Sequence, residues 1–178
     1  MPMLKIMNAK GKYYNSDARE LLIRYILNPQ KSPSCLYGGM DIESRLDIES
    51  RDIVISSVVA QMDEVARYFH KDYGVQLRHF VVSYKPNDTN EPEIVGYIAC
   101  CVAEWLSERY QTIYAVHENT DNLHFHVMFN SVSYVDGYKY HGDKREYYQL
   151  IEQIKSANRL FGISNLRCVS NTSYEDIQ

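Results

Sequence analysis

Apolar and polar positions alternate along this chain in short bursts, separated by stretches with helical spacing. Leu123 to Asn130 is the clearest burst. Its period of two places Phe125, Val127 and Phe129 on one face and His124 and His126 on the other. Leu77 to Tyr84 is a second predicted strand, closed by Lys85-Pro86-Asn87-Asp88. The apolar run Thr112 to Val116, ended by His117, is a third, and Met3 to Met7 a short first strand. Between them the pattern predicts helices. Asn15 or Ser16 would cap one that runs through Leu21, Leu22, Tyr25 and Ile26 and stops before Pro29. Ser56 or Ser57 would open another that passes Val65 and Phe69 and ends near Gly74. Glu91 to Tyr110 reads as a long amphipathic helix with Pro92 in its first turn, and Lys144 to Phe161 as the last, stopped by Gly162. Gly38-Gly39 breaks the chain, Tyr134 to His141 around Asp136-Gly137 suggests a hairpin, and Leu166 to Val169 a final edge strand. Closely linked strands mixed with helices predict an α+β fold, a central, largely antiparallel β-sheet flanked by α-helices.

Composition sets bounds. A chain of 178 residues, 45% hydrophobic and 24% charged, fits one domain, residues 1–178, with a substantial core. No segment looks like a signal peptide or a membrane span. The four cysteines form no CxxC pair and no disulfide-like framework, so a cytoplasmic setting is the simplest. The net charge of −4 argues mildly against nucleic acid as a partner, but its distribution is uneven. Residues 1–35 carry six basic against two acidic side chains, whereas residues 41–64 carry seven acidic against two basic. The acidic segment contains a direct repeat, Asp41-Ile42-Glu43-Ser44-Arg45 and Asp47-Ile48-Glu49-Ser50-Arg51, read as a charged surface loop or short helix.

The candidate chemistry lies in His117-Glu118-Asn119-Thr120-Asp121-Asn122-Leu123-His124-Phe125-His126, which holds three of the six histidines. The polar stretch Glu118 to Asn122 turns the chain back, so that His117 lies beside the His-x-His pair. A lone strand histidine is usually a satisfied core or surface residue. Three converging imidazoles instead make a divalent-metal site with open positions. Such a set suits Mn, Zn, Ni or Co better than Mg. The 16 tyrosines exceed what an ordinary core needs. Many could line the surface or stack on bases. Tyr25, beside Arg24 in the basic N-terminal arm, is one candidate nucleophile; Tyr13, Tyr14, Tyr147 and Tyr148 compete with it. A phenol with pKa near 10 needs a nearby metal or base to attack a phosphate at neutral pH.

These residues carry a resemblance. His117-x-Asn-Thr-Asp-Asn-x-His124-x-His126, followed by Asn130-Ser131-Val132, resembles motif III of the relaxases of plasmids and conjugative transposons, within the HUH endonuclease superfamily. The chain is most similar to the MobP-type mobilization enzymes of Gram-positive elements. Leu22 to Lys31 resembles motif I, which holds the nucleophilic tyrosine, and His79 to Pro86 resembles motif II. The resemblance runs from about Leu21 to about His141 and implies the HUH/relaxase-like fold. It implies that Tyr25 attacks a scissile phosphate at a transfer origin, leaving a 5′-phosphotyrosyl link and a free 3′-OH. It further implies that His117, His124 and His126 hold a divalent ion, Mn2+ or Mg2+ in function with Zn2+ or Ni2+ also able to bind. Ser83 would contact DNA near the nick, and Arg24, Lys31 and Lys85 would meet phosphates. The DNA would be single-stranded or hairpin-flanked, with an accessory relaxosome protein and a coupling protein as further partners. The second position after His117 is often Asp in these enzymes and is Asn119 here. The acid/base or orienting group is therefore open among Glu118, Asp121 and His79, the last also readable as a surface histidine. Relaxases usually continue beyond such a segment, so it is expected to be the N-terminal part of a longer protein.

Three rival readings remain at this point. A rolling-circle replication initiator would share the metal site and use Tyr147/Tyr148, although the usual lysine partner a turn later is missing. A non-catalytic metal- or DNA-binding module would use the histidines structurally. A metal hydrolase of small substrates would leave the tyrosine helix unexplained.

Overall fold

Strands that are apolar on both faces need cover on both sides, and the computed structural model shows this for the residues it describes, 1–43 and 50–172. The middle of the direct repeat, residues 44–49, lies outside them. The elements in chain order are β1 (Met3–Met7), a short 3-10 helix (Ala9–Tyr14), α1 (Ala18–Ile26), β2 (Tyr37–Met40), α2 (Arg51–Tyr68) and β3 (Leu77–Tyr84). Then follow α3 (Pro92–Ser107), β4 (Thr112–His117), β5 (Leu123–Asn130), α4 (Lys144–Arg159) and β6 (Arg167–Thr172). The six strands form one sheet in the order β2-β4-β5-β3-β1-β6. Every pairing is antiparallel except β1 with β6. The fold is therefore the α+β class with a largely antiparallel sheet that the hydrophobic pattern predicts.

The alternation divides the core in two. Phe80, Val82, Val116, Phe125, Val127 and Phe129 face α3 and α4, where Ile98, Val102, Leu150 and Ile154 meet them. Val81, Ile113, Ala115 and Met128 face α1 and α2, where Leu22, Ile23, Ile26, Val58 and Met62 meet them. Among the described residues, no helix is long and apolar enough to cross a membrane.

Several boundaries differ from expectation. The residue preceding α1 is Asp17 rather than Asn15 or Ser16, and its side chain makes no capping hydrogen bond. α2 begins at Arg51, so Ser56 and Ser57 lie inside it. α3 stops at Ser107, three residues short of Tyr110. Gly38-Gly39 does not break the chain but lies in β2, pairing with Tyr114 and Ile113. The ring of Tyr114 explains the glycine, because a Cβ on Gly38 would come within 2.7 Å of it. The expected hairpin at 134–141 is a loop with one bridge, Val132 to Lys139, turned at Gly137 with φ 68°. α4 has a full capping box, Asp143 accepting from the Glu146 amide and Glu146 reaching back to the Asp143 amide.

Candidate active site

The strand register assembles the site. On the face covered by α1 and α2, His117 of β4 stands opposite His124 of β5, which stands opposite Ser83 of β3. One step along the strands, Ala115, His126 and Val81 form the next row. Nitrogens from His117, His124 and His126 all lie within 4.8 Å of one another. All three rings are buried.

Each imidazole is oriented through its second nitrogen. His117 Nε2–H donates to the Ile26 carbonyl at 2.8 Å. That carbonyl is in the last turn of α1, where backbone acceptors lose their intrahelical partners. Asn122 O lies 3.0 Å from His124 Nδ1 and accepts its proton. His126 Nδ1 lies 3.0 Å from His79 Nε2. The remaining nitrogens of two rings, His117 Nδ1 and His126 Nε2, are buried without a partner. Orphaned buried nitrogens are rare and costly. The three rings bring one nitrogen each into one cluster, so the donor set fits a divalent ion taking neutral imidazole nitrogens. Burial keeps the rings neutral. It lowers the pKa of His117 to about 4, against the opposing effect of its bond to Ile26. It also lowers His124, and holds His126 well below the ordinary histidine value.

Tyr25 borders the buried stripe of α1 made by Leu22, Ile23 and Ile26. Its ring centroid is 5.4 Å from that of His126 and 5.6 Å from that of His117, edge-on to both. Burial raises its phenol pKa above the ordinary value. Lys31 Nζ sits 4.0 Å from the Tyr25 ring centroid, and its own pKa is lowered by burial. The loop that carries Lys31 is fastened to the strand end, because the Glu118 amide donates to the Lys31 carbonyl at 2.7 Å.

The other candidates fall into different places. Ser83 is half-buried in the row of His117 and His124. Lys85 is exposed just beyond β3. Arg24 pairs with Glu20 and Asp52 on the outer side of α1. Glu118 turns toward the loop, its carboxylate accepting from Ser34 N at 3.0 Å and Ser34 Oγ at 2.9 Å. Asp121 is exposed in the β4–β5 turn. Among the described residues, the ring nitrogens of His117, His124 and His126 bond to carbonyls, to His79 and to Thr120 Oγ1, but to no carboxylate. His79 is only 2% exposed, so it is not a surface histidine. Tyr147 packs against the α3/α4 core, on the opposite face of the sheet from the three histidines.

Two further residues have contacts that their place in the sequence does not reveal. Tyr13 Oη lies 2.8 Å from His79 Nδ1, and nothing periodic marks its 3-10 helix. Asn130 accepts from the buried Arg19 of α1 at 3.1 Å and donates to Met62 O and Gln111 Oε1. It ties α1 to the end of β5, a role that its place at the tail of a motif does not reveal.

Three buried imidazoles on an antiparallel sheet thus stand beside a tyrosine carried by a helix. The model of the MobA/VirD2-like relaxase nuclease domain matches residues 25–163, and the chain belongs to that family. It is also similar to protein rlx of Staphylococcus aureus, 30% identical over 81 residues, which make up 45% of this chain and 23% of that protein. The match thus spans about a quarter of the relative's length. No solved structure matches significantly.

Proposed function

We propose that the chain nicks one strand of DNA at a transfer origin, with Tyr25 as nucleophile, and so starts conjugative transfer or mobilization. The observation that carries this reading is the Tyr25 ring lying 5.4–5.6 Å from the centroids of two histidines of the triad. His117, His124 and His126 would hold a divalent ion, Mn2+ or Mg2+ in function, which supplies Lewis-acid polarisation of the scissile phosphate. In the reaction the Tyr25 oxygen forms a bond to phosphorus and the bond from phosphorus to the 3′ oxygen breaks. The phenol loses its proton and the departing oxygen gains one. The products are a 5′-phosphotyrosyl link and a free 3′-OH. One phosphodiester replaces another, so little bond energy is lost and the cut strand can be rejoined. Lys31 stabilises the developing phenolate and holds phosphate, and Ser83 and Lys85 extend the contact surface along the same end of the sheet. Single-stranded or hairpin-flanked DNA is the substrate of this reading. Relaxosome accessory and coupling proteins are its partners.

The replication-initiator reading places the nucleophile on α4. Tyr147 packs with the core on the other face of the sheet, which favours Tyr25. The deciding experiment uses labelled single-stranded oligonucleotides from the element's transfer origin, with Mn2+ or Mg2+. The parent is expected to give a metal-dependent, denaturation-stable protein–DNA band that Tyr25→Phe loses and the Tyr147→Phe/Tyr148→Phe double variant keeps. Loss only in the double variant would move the nucleophile to α4. No adduct from any of them, with metal bound, would make the chain a binding module.

A further inference from the structure

We infer that Tyr13 and His79 form a hydrogen-bonded relay behind His126 that fixes its tautomer, in the position where a metal-binding histidine ordinarily meets a carboxylate. The inference rests on the metal-dependent reading of the triad. A neutral imidazole has one proton for two nitrogens. His126 must keep the lone pair on Nε2, its inward nitrogen, to serve as a ligand, so its proton is on Nδ1. That nitrogen is 3.0 Å from His79 Nε2, which must therefore accept. His79 then carries its proton on Nδ1, 2.8 Å from the Tyr13 hydroxyl, and donates to it. One polarity runs through the whole chain, from His126 to His79 to Tyr13.

The geometry supports more than an incidental core contact. The His79 and His126 rings are stacked, with centroids 5.2 Å apart and planes 19° from parallel. His79 is 2% and His126 0% exposed, and Tyr13 is 5% exposed. The surroundings are apolar, with Met7, Leu77, Val81 and Met128 nearest in register or in the same core. Three polar side chains in such a setting are costly unless satisfied. Apolar residues would fill the space at less cost if packing were the sole demand. The 3-10 helix that carries Tyr13 is itself pinned to the strand entry, because the Gln76 amide donates to the Tyr13 carbonyl at 2.8 Å. The relay thus joins three separate pieces of backbone, the 3-10 helix, β3 and β5, and ends on a ligand of the proposed ion. Because its members are neutral, the charge of a bound ion is left for the DNA phosphate to balance. Orienting partners of metal-bound histidines usually affect affinity 10–100-fold.

The test combines spectroscopy with affinity. In the Zn2+-loaded, 15N-labelled protein, long-range proton–nitrogen correlation is expected to place the proton of both His126 and His79 on Nδ1. A proton on Nε2 of His79 would overturn the relay. Calorimetric titration of the DNA-free protein with Zn2+ gives the second arm. His79→Leu is expected to weaken binding roughly 10–100-fold. His79→Gln, whose amide can accept from His126 and donate to Tyr13, should recover most of that loss. Tyr13→Phe should weaken binding about fivefold, consistent with loss of one hydrogen bond. Folding of each variant is checked by circular dichroism, and if His79→Leu fails to fold, the nitrogen assignment in the parent decides. A folded His79→Leu with parental affinity would overturn the relay while leaving the nicking reading intact. A parent that binds no Zn2+ would overturn both.

Discussion

Tyr25 is held where the chemistry proposed for it would need help. Burial raises its phenol pKa, so the group is protonated at neutral pH and its anion must be stabilised by nearby positive charge. Lys31 Nζ, 4.0 Å from the ring centroid, supplies one such charge. A cation at this range, partly screened, favours the phenolate by about 1.4 kcal/mol, or about tenfold in rate. Lys31→Met is therefore expected to lower the nicking rate roughly tenfold at neutral pH without weakening metal binding, because Lys31 opposes positive charge at all three histidines. Phenolate forms more readily as pH rises, so raising the pH by about one unit should restore the variant toward the parental rate. Measurement of single-turnover nicking between pH 6.5 and 9 checks this. A loss equal at every pH would mean that Lys31 only holds DNA. The site is partly legible at this scale. The period of two in β5 and the short turn after His117 bring three histidines together, and both features are local. The His79–His126 contact is not local. It depends on the register between β3 and β5, and alternation alone fixes faces but not partners. The carboxylates nearest the histidines in sequence mislead for the same reason. Glu118 is next to His117 along the chain, yet its side chain is taken up by Ser34.

At the scale of elements, what matters is which helix carries the proposed nucleophile and what holds it. α1 is short, from Ala18 to Ile26, and no side-chain cap secures its first turn. Its anchor is instead Arg19, buried against Asp63 and Asn130. Asn130 also bonds Met62 O of α2 and Gln111 Oε1 before β4. Asn130→Leu leaves these groups unpaired, and is expected to cost about 1–3 kcal/mol in unfolding free energy. It should also lower nicking more than metal binding, because Tyr25 moves with α1 while the triad stays on the sheet. Asp143→Ala is the matched comparison. Loss of its capping box should cost about 1 kcal/mol but leave nicking unchanged, since α4 packs on the opposite face. Chemical denaturation and oligonucleotide cleavage on both variants test the contrast. Equal effects on nicking would remove Asn130 from any role in placing α1. Elements with strong periodicity, β3, β4 and β5, are readable to the residue. β2 is not, because its first glycine, Gly38, answers to the Tyr114 ring on the neighbouring strand rather than to any rule of its own segment. The start of α2 at Arg51 is equally hidden, since serines stand inside this helix, at Ser56 and Ser57, as well as at its entry, at Ser50.

For the whole molecule, the buried histidines couple the site to stability. The alternation of apolar and polar residues predicts the layered α+β architecture, yet nothing in it marks the parallel pairing of β6 with β1, which depends on where the chain returns after α4. The fold places neutral imidazoles between the sheet and α1. Burial lowers His79 to about 3 and His117 to about 4, and His124 and His126 are lowered as well. In the unfolded chain the same groups titrate near 6.5. Above that pH both states are unprotonated and no penalty arises. As pH falls from about 6.5 toward about 4, the unfolded chain takes up protons that the folded protein does not, so stability declines. Each such group contributes up to about 1.4 kcal/mol per pH unit in that window. The denaturation midpoint of the metal-free protein is therefore expected to fall steeply between pH 6.5 and 4.5. A divalent ion bound only by the folded state adds about 2.7 kcal/mol at one hundred times its dissociation constant. Protons compete for the same nitrogens, so this gain should shrink across the same pH window. Denaturation at several pH values, with Mn2+ or Zn2+ and again after chelation, reads both effects. A metal increment that stays constant down to pH 4.5 would show that the ion is not held by these imidazoles, and would move the metal centre elsewhere in the molecule.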